Sequence, residues 1–186
     1  GDIGKIVAVQ LYYNANAGSG KKPVVEDDEF RIRNHFQYLA LSGGMLNDQA
    51  IHVIDVCRAV LGTNPISAVG QLSDKGRAYE YGDTHTSYQV LYKYPDDINV
   101  SVQQISVGPT WGDVCARFFG TEGTAEAHYS GGVFITGRNK WDSGNDNALN
   151  DADRNRGKAF IDSILSGEYI NEIADGCNST LATVLG

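Results

Sequence analysis

Hydrophobic positions in this chain change period as it runs, and each change marks an element. Residues 5–14, "KIVAVQLYYN", are rich in β-branched and aromatic side chains and predict a strand. Residues 15–29, "ANAGSGKKPVVEDDE", carry Gly, Pro and charge and predict a loop. A short helix is expected over residues 33–41, and a stronger one over 44–61. At about 100° per residue, Leu46, Ala50, Val53, Ile54, Cys57, Val60 and Leu61 share one broad apolar face, and Gly62 and Pro65 supply the stop.

The middle third switches to period two. "ISAVGQLS", "HTSYQVLYKY", "NVSVQQISV", "VCARFFG", "TAEAHYS" and "GVFITG" are short extended runs parted by turn residues, with "YPDDIN" (94–99) as a hairpin link. Tyr88, Val90, Tyr92 and Tyr94 alternate with Ser87, Gln89, Leu91 and Lys93, so one face lies under helices and the semi-polar other face is open. Residues 141–157 predict a polar connection with one helical turn near Leu149. Two helices, "KAFIDSILSG" and "INEIADGCNSTLATVLG", close the chain, the second with Ile173, Cys177, Leu181 and Leu185 at helical spacing. The expected class is α+β: one domain over residues 1–186, an open and mainly antiparallel sheet with helices on one face.

Composition narrows the partners. The 186 residues are 41 % apolar and 20 % charged, ordinary for a globular domain. A formal charge of −8 argues against nucleic acid and anionic membrane, both of which need clustered Lys and Arg. No apolar run approaches a membrane span. A strand pattern begins within five residues of Gly1 and a helical pattern runs to the last residues, which reads as a domain excised from a longer chain; no compartment follows from it. Cys57, Cys115 and Cys177 cannot all pair and have no C-x-x-C spacing, so buried free thiols are expected rather than a disulfide framework or zinc ribbon. "GSGKK" lacks the spacing of a phosphate loop, since Ala15 and Lys22 stand where Gly and Ser or Thr are needed.

Chemistry concentrates in "GGMLNDQAIHVID", residues 43–55. Two glycines open a helix that carries Asp48, His52 and Asp55 within a strip of about 60°, opposite the apolar face. A solvated polar helix face accounts for such a strip equally simply. These three side chains could also ligate Zn²⁺ or Mn²⁺, but His35, His85 and His128 show no paired ligand spacing with them, and no metal is expected.

The same segment resembles the Gly-Gly-x-x-x-Asp-x-x-x-His pattern of the glucose–fructose oxidoreductase/inositol dehydrogenase (Gfo/Idh/MocA) family. "GDIGKIVAV", "AVLGTNPISAVGQ", "FFGTEGTAEA" and "FIDSILSG" followed by "ADGCNSTLATVLG" are similar to its flanking segments in the same order. The resemblance covers most of the chain outside residues 14–30 and 137–154. It implies the family's C-terminal domain, a dihydrodipicolinate reductase-like open sheet that supplies the substrate pocket and often the oligomer interface. Members carry before it a Rossmann domain that binds NAD or NADP and contributes a lysine from a Glu-Lys-Pro motif. Neither G-x-G-x-x-G nor Glu-Lys-Pro occurs here, so that domain is absent from these residues and no cofactor is expected to bind them alone.

By the resemblance, His52 is the acid/base that takes a substrate hydroxyl proton, and Asp48 holds the imidazole or a neighbouring hydroxyl. Gly43 and Gly44 would let nicotinamide or sugar approach the backbone. Arg33, with Asn34, His35 and Tyr38, could rim the pocket, and Trp111 could stack on a sugar ring or sit in an interface. Asp55 would anchor the helix or orient the ring. Two functions are then expected: the carbohydrate-binding half of an NAD(P)-dependent oxidoreductase of a sugar, polyol or related compound, inactive alone, or a non-catalytic oligomerisation or ligand-binding module. A homo-oligomer through the open sheet face is expected, and cleavage of a glycosidic bond through transient use of NAD stays open.

Overall fold

Period-two alternation in the middle of the chain becomes one eight-stranded sheet. The computed structural model describes residues 1–186. Its strands are β1 (Ile6–Asn16), β2 (Ser67–Ser73), β3 (Ser87–Lys93), β4 (Asn99–Val107), β5 (Asp113–Gly120), β6 (Gly123–His128), β7 (Val133–Gly137) and β8 (Trp141–Asp142). Their spatial order is β2-β3-β4-β1-β5-β6-β7-β8. Neighbours run antiparallel except β1 and β4, which are parallel. The long first strand thus sits in the sheet centre, with Val9 and Leu11 buried. This is the expected α+β class.

Five α-helices accompany the sheet, and the third packs directly on one face. They are α1 (Asp28–Arg33), α2 (Leu39–Ser42), α3 (Ile51–Leu61), α4 (Ala148–Ser166) and α5 (Ile173–Leu185), with a 3-10 turn at His35–Gln37 and a π-helical turn at Leu46–Ala50 leading into α3. Leu46, Ala50, Val53, Ile54 and Cys57 bury the expected face of the 44–61 segment against Val9, Leu11, Val90, Tyr92, Val100 and Val102. Val60 departs from that face and is exposed. Beside α3, Arg58 donates to Ser179 Oγ at 3.0 Å and to Asp175 at 2.7 Å, and the Ser179 hydroxyl donates to Asp55. Asp55 therefore ties α5 to α3.

Three expectations need correction. The helix expected over 33–41 is divided into α1, the 3-10 turn and α2, and α1 starts earlier, where the Asp27 carboxylate accepts the Phe30 N–H. Asn34 causes the break: its amide side chain donates to the Phe30 carbonyl and competes with helix continuation. The polar connection over 141–157 instead holds β8 and the first half of α4. No residue of α4 is buried; pairs Asp153–Arg156 at 3.0 Å and Lys158–Asp162 support it, each worth about 0.2–0.5 kcal/mol. Of the three thiols, Cys57 and Cys115 are buried and Cys177 is exposed. No helix is long and apolar enough to cross a membrane.

Candidate functional site

The glycine pair has a local cause. Gly43 closes α2 in the left-handed conformation, with φ of 72°. Gly44 follows at φ 87°, and a Cβ there would lie 2.7 Å from the Tyr88 hydroxyl and 3.2 Å from Leu39 Cδ2. The chain turns sharply and sinks against β3 before it winds into the π-helical turn. Gly44 is buried and Gly43 exposed, so of the two only Gly43 offers its backbone to a ligand. The π-helical turn carries Asp48, and α3 begins three residues later; such widened turns recur at functional sites.

Asp48 and His52 project toward the sheet end where Tyr13 and Tyr129 stand. The His52 ring stacks on Tyr13, centroids 6.1 Å apart and planes 25° apart, and lies 5.0 Å from the Tyr129 ring. The two tyrosine rings are 6.2 Å from each other. Burial raises the Asp48 carboxyl above the ordinary range, and the charges of His35 and His52 oppose that rise. Burial likewise pushes the Tyr13 phenol up, reinforced by Tyr129 and Asp48. Neither the Asp48 carboxylate nor the His52 ring hydrogen-bonds within the chain, which leaves both free for a ligand. Next to Asp48 in sequence, Gln49 Oε1 accepts from Ser106 Oγ at 3.2 Å and from Gln104 Nε2 at 3.3 Å. Gln104 is wholly buried, and its Oε1 has no partner in the protein.

An acid, an imidazole and two phenols grouped at one end of the sheet are side chains whose chemistry suits a polyhydroxylated ligand, carboxylate and imidazole being hydroxyl acceptors and aromatic rings being partners for C–H faces.

Of the side chains expected from sequence, the structure brings together Asp48, His52 and His35. It does not bring Trp111 to them. Tyr12 and Tyr13 are successive on β1 and face opposite sides of the sheet; His52 lies on Tyr13, whereas Trp111 packs edge-on against Tyr12 at 6.3 Å. Trp111 therefore belongs to the open face. Arg33 is exposed and pairs with Glu29 at 2.8 Å. Asn34 accepts from the Tyr81 hydroxyl, and buried Tyr38 donates to Glu26 at 2.7 Å with Arg31 over its ring, so these two anchor the α1–α2 segment. "GSGKK" is not at a helix start either: Gly20 bridges to Tyr79, which leaves no phosphate cradle there. Sequence reasoning missed Tyr13 and Tyr129. Strand parity was the available signal for Tyr13, which shares its side with Val9 and Leu11; Tyr129 lies just past β6 and had none.

Comparison with known proteins places this geometry. The family model for the GFO/IDH/MocA C-terminal domain matches residues 1–126. No curated protein matches the sequence. Among solved structures, the chain is similar to myo-inositol 2-dehydrogenase from Lactobacillus plantarum, with TM-score 0.64 and 20 % identity over 99 % of this chain and 54 % of that one. GenD2 from gentamicin A biosynthesis, in complex with NAD, gives TM-score 0.67 and 17 % identity over 100 % of this chain and 53 % of that one. The super-repressor mutant of Gal80p from Saccharomyces cerevisiae gives 0.65 and 10 % over 98 % of this chain and 54 % of that one. These likenesses are of fold, and the chain spans about half the length of each structure. Because that model covers residues 1–126, two-thirds of the sequence, the chain belongs to the Gfo/Idh/MocA oxidoreductase family as a C-terminal domain.

Proposed function

We propose that this domain is the substrate-binding half of an NAD(P)-dependent oxidoreductase acting on a sugar, polyol or related hydroxylated compound. The observation that carries the reading is the pair Asp48 and His52, coupled through charge, unengaged by the protein and flanked by Tyr13 and Tyr129. The fold relatives named for inositol oxidation and for an NAD complex agree with it.

This reading puts the dinucleotide on a companion Rossmann domain, since no strand here runs through a glycine-rich turn into a helix of the required spacing, and it expects no turnover from the domain alone. The nicotinamide there supplies the hydride acceptor. Here His52 accepts the hydroxyl proton as the carbonyl forms, and Asp48 stabilises the resulting imidazolium. Tyr13 and Tyr129 pack beside the imidazole and fix its orientation.

In the full-length chain, His52→Ala should lower turnover by about 10²–10⁴-fold while cofactor affinity stays nearly unchanged, measured by steady-state kinetics and NAD(P)H fluorescence. Near-normal turnover with a sugar or polyol would remove His52 from the chemistry.

A second reading is a binding or assembly module without chemistry. The likeness to Gal80p, whose structure is that of a super-repressor mutant, is the observation in its favour. Under either reading we propose self-association through the open sheet face, where Val69 and Leu91 are exposed.

A further inference from the structure

On the face of the sheet opposite His52, register brings a second set of polar side chains together. Gln71, Gln89, Gln103, Tyr12, Cys115 and His128 form one cross-strand row through six strands. Its end meets Asp113, two residues before Cys115 on β5 and on the same side. Asp113 and Cys115 are buried and His128 is half-buried. One ligating atom from each of Asp113, Cys115 and His128 lies within 4.8 Å of the others.

The hydrogen bonds around this trio leave Asp113 Oδ1 and His128 Nδ1 facing one another, while the Cys115 thiol donates to Glu126 Oε2 at 4.0 Å, a weak bond that a metal would replace. Arg117 bonds Asp113 through Oδ2 at 2.7 Å and Glu126 through Oε2 at 2.8 Å. The other Asp113 oxygen, Oδ1, is turned toward His128 Nδ1 at 4.0 Å. The far ring nitrogen, His128 Nε2, lies 3.2 Å from Glu126 Oε2. With its proton on Nε2 and donated to Glu126, the imidazole presents a bare lone pair to a carboxylate oxygen, with no proton between them. That is the orientation a metal-bound histidine takes, its second nitrogen held by a carboxylate.

We infer that Asp113, Cys115 and His128 form a site for a divalent transition metal, with zinc as the best fit. Asp113 Oδ1, Cys115 Sγ and His128 Nδ1 are the three ligands, and a water fills the fourth position on the open face. Oxygen, sulfur and imidazole together suit zinc and exclude calcium and magnesium, which take oxygen shells. Tetrahedral bonds of about 2.0–2.3 Å need donor atoms closer together than they stand, a contraction that side-chain rotation supplies. Glu126 fixes the His128 tautomer, and Arg117 keeps the outer Asp113 oxygen and Glu126 in place. Cobalt or zinc entering the site displaces the Cys115 thiol proton to solvent, so the metal is bound by thiolate, carboxylate and neutral imidazole. This site lies across the sheet from Asp48 and His52 and does not depend on the proposed chemistry there.

The test is titration of the metal-stripped, tag-free 186-residue chain with Co²⁺, followed by absorbance. We expect one equivalent to produce the near-ultraviolet sulfur-to-cobalt charge-transfer band with tetrahedral ligand-field bands in the visible, and zinc to displace it. Cys115→Ser, which keeps the side chain's size, should lose the charge-transfer band while circular dichroism shows the fold retained. Glu126→Gln should weaken binding by about 10–100-fold. Cys177→Ala removes the exposed thiol and should change nothing. Absence of the band in the native chain, its persistence in Cys115→Ser, or its loss in Cys177→Ala would each overturn the assignment.

Discussion

Asp48, the proposed partner of His52, is a single side chain held at a cost to the fold. Burial raises its folded-state value above the unfolded one, with His35 and His52 opposing. Between those two values the folded chain holds a proton that the unfolded chain has released, so stability falls as pH rises through that window. Above the folded value the penalty is fully present; below the unfolded value it is gone. Asp48→Asn removes it. Its gain in stability over the native chain should be greatest near neutral pH and vanish in acid, below the ordinary aspartate range, as urea unfolding at a series of pH values would show. The same substitution should lower turnover of the full-length enzyme, a stability–activity trade-off at one atom pair. A loss of stability in Asp48→Asn near neutral pH, fading toward acid, would mean that Asp48 is held by attraction rather than strained by burial. Arg117 is the contrasting case: burial works against its charge, but its bonds to Asp113 and Glu126 outweigh that and hold the guanidinium above its usual value.

Elements whose making is local were legible in the sequence, and those set by competition were not. The central strands carry clean alternation, and β3 and β4 lie where period two puts them, because one face is buried and a one-residue slip would expose it. The apolar face of the 44–61 segment is also as expected, yet the π-helical turn within it was invisible, since Leu46, Ala50, Val53 and Ile54 face the core through either winding. In α4 the signal was misleading: polar residues with no buried side chain suggest connection, while i,i+3 and i,i+4 ion pairs sustain a solvated helix. Gly43–Gly44 stood out in the sequence as a place of close approach to a ligand, whereas the approach the structure shows is to the chain itself, Gly43 against Asn47 and Gly44 against Tyr88. The junction can be probed. Gly44→Ala puts a methyl group against Tyr88 and Leu39 at a positive φ and should cost about 1–3 kcal/mol. Gly62→Ala, at φ 68° with nothing near its Cβ, should cost less, because only the backbone term applies. Thermal unfolding of the two variants gives the comparison, and equal losses would mean that Tyr88 yields without penalty.

At the scale of the whole molecule, the two proposed sites divide between two faces of one sheet. Successive residues separate them: Tyr13 and Tyr129 lie with His52, whereas Tyr12 and His128 lie on the open side. Sequence parity reveals that such a division exists, but which strands become neighbours is a long-range outcome; hence Asp48 with His52 was legible as a helical spacing while Asp113, Cys115 and His128 were not. The open side holds a groove of about 470 Å³ whose walls include Tyr12, Val69, Gln71, Gln89, Leu91 and Gln103. Val69 and Leu91 are direct cross-strand partners, 74 % and 64 % exposed, at the β2 edge of this amide-rich surface. A second copy docked through the same strands would bury that apolar pair and satisfy the amides reciprocally, as a two-fold contact requires. The proposed assembly then predicts that light scattering at micromolar concentration reports a dimer or larger species. Leu91→Lys places a like charge on both copies near the two-fold axis and should shift the mass to the monomer, leaving the far-ultraviolet circular dichroism unchanged. A native chain that stays monomeric under those conditions would leave the open face to some other partner and remove self-association as its purpose.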